Sequence, residues 1–370
     1  MVASNTWRSA LGGSDGHTAL RMKRNRNKQQ LRDEFILIPA NKTPKKMCSF
    51  CAVFPQKSAK NSKTAIFVFF CELLASLMTM SGKVLFDCDP TLYGFRDIDD
   101  SLALLYLLSK HRRGKIGLVG VTTVFGNDSV ENTYRTARNI LARAKLIREI
   151  PVIKGASSRH DIHNDSSRFI MQALNSGKIE YVLATGPLTN IALAIKDVDK
   201  DILSKVTIII MGGALDTLGN TLVLKAEFNF YKDPIAADIV LKTSWRKIIL
   251  VPLDVTKRAK IPFFWIRKLE EKCRDETVRY VLRGTFRWAL INTLVFGGFN
   301  PHDLLTAWIF INMESLRYFE EQIMVDTYRI PGMILRKDRG SRILVPIIDK
   351  FDRFYREVIR ELSHASITQL

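Results

Sequence analysis

Six short, unbroken apolar runs recur between residues 83 and 254, and they restrict the possible folds more than any other feature. They are KVLFD (83–87), GLVGVTTV (117–124), PVIKG (151–155), YVLATG (181–186), VTIIIMGG (206–213) and IILVPLD (248–254). A half-exposed strand alternates apolar and polar residues, whereas a strand buried on both faces reads as a continuous run. Segments with helical spacing lie between the runs, at 99–111, 129–147, 166–177, 188–197 and 234–242. Strand–helix alternation at this interval predicts an α/β domain, an open, doubly wound, mostly parallel sheet flanked by helices. After residue 262 the pattern turns mostly helical. This predicts a helical C-terminal part with a late RILVPIID strand and a final helix near 349–362.

Nearly every apolar run is followed at once by polar or glycine-rich residues: Asp87 and Asp89, Thr122 and Thr123 before Gly126-Asn127, Thr185-Gly-Pro, Met211-Gly-Gly, and Asp254. Open parallel sheets bind ligands outside the carboxyl ends of their strands, so these loops are expected to line one crevice. The first of them carries five carboxylates in a short space, Asp87, Asp89, Asp97, Asp99 and Asp100. Acids that repel one another are explained by a hard cation that takes oxygen ligands. The alternative is that Asp99 and Asp100 merely cap a helix, as acids commonly do. His302-Asp303, before the apolar run LLTAWIF, has the same alternative.

The net charge of +19 suggests nucleic acid until its distribution is considered. Residues 1–63 hold thirteen Lys and Arg against three acids, a net +10 on a sixth of the chain. The remainder is an ordinary solvated surface. We read 1–63 as a basic, disordered tail, with nucleic-acid contact not favoured. TAIFVFFCELLASLMTM (64–80) is at the short end for a membrane span and contains Glu72, so membrane anchoring through it is not favoured either. Five cysteines with one isolated Cys48-x-x-Cys51 form neither a disulfide framework nor a zinc site, which fits a reducing, cytoplasmic setting.

The run DCDP…DIDDSLAL resembles the signature of the nucleoside hydrolases, the inosine/uridine-preferring ribohydrolases. The likeness continues in order through VTTVFGN (121–127), ATGPLTNIALA (184–194), IIMGGAL (209–215), GNTLVLKAEFNFYKDPIAADIV (219–240), VPLDVT (251–256) and HDLLTA (302–307), and covers roughly 82–365. The resemblance implies hydrolysis of the N-glycosidic bond of ribonucleosides, dependent on Ca²⁺, by a homodimer or homotetramer. It places Asp89, Asp100, the Thr185 carbonyl and Asp303 as Ca²⁺ ligands. It makes Asp89 also the general base, Asp99 the carboxylate beside the ribose 2′-hydroxyl, and His302 the proton donor to the leaving base. Asn127, Met211, Asn220, Glu227 and Asn229 fall at ribose-contacting positions.

The chain departs from that pattern in three places. The family has about three residues between the second acid and the acid pair; here there are nine, Pro90 to Ile98, with TLYGFR inserted and Asp97 where glycine is usual. The insertion either bulges outward and leaves Asp89 and Asp100 converging, or displaces Asp89 and leaves an impaired riboside binder. A mis-assigned exon boundary is a third reading. RHDIHNDSSRF (159–169) lacks the glycines of the family's flap, and Lys257 stands where histidine is usual. Read alone, VLFDCDPT also fits a haloacid-dehalogenase-like phosphatase, with Asp87 as nucleophile and Asp89 as acid/base. That reading leaves GPLTN, MGG and AEFN without a role.

Overall fold

The strand expected at 83–87 runs from Lys83 to Cys88 (β1) and has its last five residues buried. The computed structural model describes residues 82–93, 96–222 and 225–368. The basic segment 1–63 and the apolar segment 64–80 therefore lie outside the described residues. No described helix is long and apolar enough to cross a membrane.

The other runs become Gly117–Thr123 (β2), Val152–Lys154 (β3), Tyr181–Ala184 (β4), Thr207–Met211 (β5) and Lys247–Val251 (β6). Each run ends where its polar tail begins, because Thr185, Gly212 and Pro252 belong to loops. With Arg317–Asp326 (β7), Met333–Arg336 (β8) and Ser341–Ile347 (β9) they form one nine-stranded sheet in the order β3-β2-β1-β4-β5-β6-β9-β7-β8. Neighbours from β3 to β9 pair parallel; β7 pairs antiparallel with both β9 and β8. The strand order reverses between β1 and β4, and the loops at their carboxyl ends form the crevice where such sheets bind ligands.

Thirteen α-helices lie among the described residues. Five fill the intervals named above: Asp99–Arg112 (α1), Val130–Arg143 (α2), Asp165–Asn175 (α3), Thr189–Ala194 (α4) and, after the short Lys200–Leu203 (α5) and Phe228–Lys232 (α6), Pro234–Lys242 (α7). The rest are Leu253–Thr256 (α8), Phe263–Lys272 (α9), Glu276–Gly284 (α10), Phe286–Phe296 (α11), His302–Asn312 (α12) and Asp352–Ser363 (α13). Helix α1 is buried from Asp99 to Ser109 and packs on α12, which is buried from Asp303 to Phe310. Two apolar helices laid side by side in the core bring their acidic first turns together.

The C-terminal part is less helical than its sequence suggests. The missed hairpin β7–β8 carries Glu320, Glu321 and Arg336 and is only partly buried, so it offers no continuous apolar run. A sheet edge open to water on one side carries polar residues, and that hides it from a search for buried strands.

Candidate active site

Asp99 and Asp100 do not cap their own helix. The residue before α1 is Ile98, which makes no side-chain capping bond, and α12 likewise starts after Pro301 without one. Asp99 Oδ2 instead accepts a hydrogen bond of 2.8 Å from the backbone N–H of Asp303 in the other helix. Asp100 Oδ1 accepts from Thr185 Oγ1 at 2.6 Å, and its Oδ2 from Asn127 Nδ2 at 3.2 Å. The first turns of α1 and α12 thus face one another, and their positive dipole ends favour the anions gathered there.

Ligand oxygens of Asp99, Asp100 and Asp303 lie within 4.8 Å of one another, all three residues being buried. Asp89 adjoins this triad, within hydrogen-bonding reach of Asp100. Its Oδ2 accepts from the Asn127 backbone N–H at 2.5 Å. Two glycines make room for it: a Cβ on Gly126 would stand 2.0 Å from Asp89 Oδ2, and one on Gly186 3.0 Å from Oδ1. Asp89 stands beside Asp100 but outside the group of three whose oxygens lie within 4.8 Å of one another.

Burial raises the pKa of every acid here, and the neighbouring carboxylates add to it. Asp89, Asp99 and Asp303 are held well above the ordinary carboxylate range, with Asp100 the principal neighbour for Asp89 and Asp303, and Asp97 for Asp99. Asp100 rises to about 6, burial outweighing the Thr185 bond. Asp89 Oδ1 and Asp303 Oδ1 are buried and have no hydrogen-bond partner among the described residues. Orphaned acceptor oxygens in an all-oxygen cluster fit a hard cation. Two ligands at roughly 2.4 Å from one ion stand at most about 4.8 Å apart.

The remaining expected residues divide into two groups. Asn229 reaches the cluster: its Nδ2 donates to the Thr185 carbonyl at 2.8 Å and lies 3.6 Å from Met211 Sδ. Met211 ends β5, almost fully buried beside Ala214 and Leu253. Glu227 is committed largely to backbone. Oε1 accepts from Asn229 N at 2.8 Å, and Oε2 from Gly213 N at 3.0 Å and Phe230 N at 3.1 Å, capping α6. Asn220 is exposed and accepts from Phe228 N at 2.8 Å, at the rim of this group. His302 is half-buried with Nδ1 2.6 Å from Thr256 Oγ1, and burial lowers its pKa.

Three residues to which the expected site gave no specific role contribute. Asp97 turns toward the cluster and opposes ionisation of Asp99, Asp100 and Asp303. Asn190 donates to Asp87 Oδ1 at 2.9 Å and to the Thr123 carbonyl at 3.0 Å, tying β1 to β2. Asp254 accepts from the backbone N–H groups of Leu215, Asp216 and Thr217 at 2.7–2.8 Å and holds the loop after β5. Its place just past β6 was the available signal. Asp87 is fully buried, accepts from Thr122 Oγ1 at 2.5 Å, and rises to about 7 by burial. Asp87 Oδ1 is taken up by Thr122 and Asn190 in a tie between β1 and β2, and the phosphatase reading gains no support from it.

A description of the inosine-uridine preferring nucleoside hydrolases matches residues 84–354, which include the crevice and all the acids around it. The chain belongs to this nucleoside hydrolase family. It is similar to Uridine nucleosidase 1 of Arabidopsis thaliana, 33% identical over 210 residues, 48% of this chain and 58% of the relative. It is similar also to the inosine-uridine preferring nucleoside hydrolase of Leishmania major, 30% identical over 49% of this chain and 63% of the relative. The chain thus spans about three fifths of the length of these two relatives. Pyrimidine-specific ribonucleoside hydrolase RihB of Escherichia coli O1:K1 matches at 27% identity over 66% of this chain and 83% of the relative. Among solved structures, the purine-preferring ribonucleoside hydrolase from Gardnerella vaginalis has a TM-score of 0.66 at 23% identity, over 77% of this chain and 99% of that one. The inosine-uridine preferring nucleoside hydrolase from Bacillus anthracis has a TM-score of 0.61 at 21% identity, over 76% and 99%. At these identities the likeness establishes the shared nucleoside hydrolase fold.

Proposed function

We propose that the chain hydrolyses the N-glycosidic bond of ribonucleosides to ribose and free base, with Ca²⁺ as the cation. The observation that carries this is the convergence of Asp99, Asp100 and Asp303 with Asp89 at the switch point of the sheet. Asp89, Asp100, Asp303 and the Thr185 carbonyl are the proposed ligands, and Asp99, inside the same triad, faces the ribose 2′-hydroxyl. A bound cation supplies Lewis acidity that acidifies water and orients the sugar diol. Asp89, wedged between Gly126 and Gly186, accepts the proton of the attacking water. The surrounding carboxylates stabilise the oxocarbenium-like sugar that forms as the base departs. Asn127, Asn229 and the rim residue Asn220 offer amides to the ribose hydroxyls, Glu227 sets the backbone under them, and Met211 packs beneath the ring. His302, anchored through Nδ1 on Thr256, is the proposed proton donor to the leaving base.

The family's assembly into two or four subunits is carried over to this chain. It is supported by the exposed apolar stripe Leu290, Leu294, Val295 and Phe296 on α11. Two buried free thiols, Cys88 and Cys273, support a reducing, cytoplasmic setting. The test is ribose release from inosine and uridine by the full chain, with Ca²⁺ and with chelator, beside p-nitrophenyl phosphate turnover. Ca²⁺-dependent ribose release is expected. Inosine binding without release would mark a riboside binder, and phosphate release would restore the phosphatase.

A further inference from the structure

The extended loop between Asp89 and Asp99 is built into the site at both ends. Tyr93 N donates to the Gly284 carbonyl at 3.3 Å, and the Leu92 side chain fills the space where a Gly284 Cβ would stand. Tyr93 packs edge-on against Tyr280 with ring centroids 5.7 Å apart. The loop therefore bulges outward onto α10. On its return, Ser101 Oγ donates to the Thr91 carbonyl at 2.7 Å, and Thr91 Oγ1 donates to the Asp97 carbonyl. Between these anchors Arg96 reaches across to a different loop. Its Nη1 donates to the Asn127 carbonyl at 3.0 Å and pairs with Asp128 Oδ1 at 2.6 Å.

Asn127 is the one residue among those described that hydrogen-bonds both Asp89, through its backbone N–H, and Asp100, through its amide. A residue that grips its carbonyl and the next side chain fixes the peptide that follows Asn127 and restrains the Cα from which both donors extend. We propose that Arg96, supplied by the extension, is a positioning residue that braces Asn127 and so fixes the spacing of Asp89 and Asp100 for cation and ribose. The glycine that usually shapes this turn is replaced by Asp97; the Arg96 strut does its work from outside. Burial opposes the Asp128 charge, but bonds from Asn132 and Ser129 and the Arg96 guanidinium outweigh it and keep the carboxyl below its usual range. The strut is therefore charged at both ends at neutral pH. This proposal rests on the reading of the acid cluster given above.

The test is Ca²⁺ titration of the chelator-stripped full chain followed by thermal shift, with inosine kinetics at saturating Ca²⁺. Outer partners of metal ligands typically change affinity 10–100-fold, and Arg96 stands one step further out. Arg96→Ala is expected to raise the Ca²⁺ midpoint about three- to tenfold and to raise KM more than it lowers kcat. Arg96→Lys should recover part of both, keeping the charge but not the fork. Asp128→Asn reads the same link from the other side should Arg96→Ala fail to fold. A lower melting temperature with unchanged Ca²⁺ midpoint and KM would reduce Arg96 to a structural role and overturn the proposal. If wild type shifts with Ca²⁺ but all variants match it, the strut alone falls. If wild type neither shifts nor releases ribose, the cluster assignment falls with it.

Discussion

Two groups of buried acids in this protein have been treated in opposite ways. Glu361 on α13 is almost fully buried, yet its oxygens accept from Ser109 Oγ at 2.6 Å and Lys110 Nζ at 2.7 Å, and Arg113 Nε stands 3.0 Å away. Burial opposes its charge, but these partners outweigh it and hold the carboxyl below its usual range. Asp89, Asp99, Asp100 and Asp303 are as deeply buried, face one another, and have no cation among the described side chains. A paired carboxylate fastens α13 to α1 and is complete; an unpaired group stores electrostatic cost that an external cation relieves. The difference separates a structural acid from a functional one.

The largest expected effect breaks the functional side. Asp100→Ala should lower ribose release by at least about a thousandfold, since it removes a proposed cation ligand and the partner of both Thr185 and Asn127. A rate within tenfold of wild type would remove Asp100 from the site. Next, saturation with Ca²⁺ at about a hundred times its Kd should stabilise the fold by about 2.7 kcal/mol, and chelator should reverse it. Asp303→Asn should remove that response in a calorimetric scan, and an unchanged response would exclude Asp303 as a ligand.

The structural side breaks differently. Glu361→Gln should cost about 2 kcal/mol in denaturant melts by leaving Lys110 and Ser109 short of an acceptor. Ribose release at 25 °C should stay at the wild-type rate, and a matching loss of activity would erase the distinction between the two groups. The last effect is in pH. Asp87 and Asp100 rise to about 7 and about 6, above an unfolded value near 3.8. The folded state then binds more protons than the unfolded one between these values. Their contribution to stability is present at acid pH and is lost as pH rises through 6 to 7. Metal-free protein should therefore be more stable at pH 5 than at pH 7.5, and the gain should be smaller in Asp100→Asn. Ca²⁺ affinity should run the other way, falling as protons compete for the same oxygens. A metal-free stability that climbs steadily with pH across this range would contradict the sign.

Much of this was legible before any coordinates. The parallel strands appear as unbroken apolar runs because both their faces are covered, and Asp89, Thr185 and Met211 come at or just beyond run ends because crevice loops must follow strands. The meeting of α1 with α12 was not legible: a hydrogen bond between Asp99 and Asp303 spans about two hundred residues, and no local spacing encodes it. Glu227 shows the opposite limit. Its place in the AEFN motif suggested a sugar contact, and no local spacing announced that its oxygens also accept from three backbone N–H groups and cap α6. The β7–β8 hairpin and the Arg96 reach escaped because each depends on polar residues whose partners lie far along the chain.

The central claim is that the buried acids form one cation site. Isothermal titration of Ca²⁺ into the chelator-stripped full chain, in two buffers of different ionisation heat near pH 6.5, tests it most directly. The account predicts one saturable site, proton release on binding, and loss of the signal in Asp100→Asn. Absence of saturable binding in wild type, with ribose still released in chelator, would contradict it.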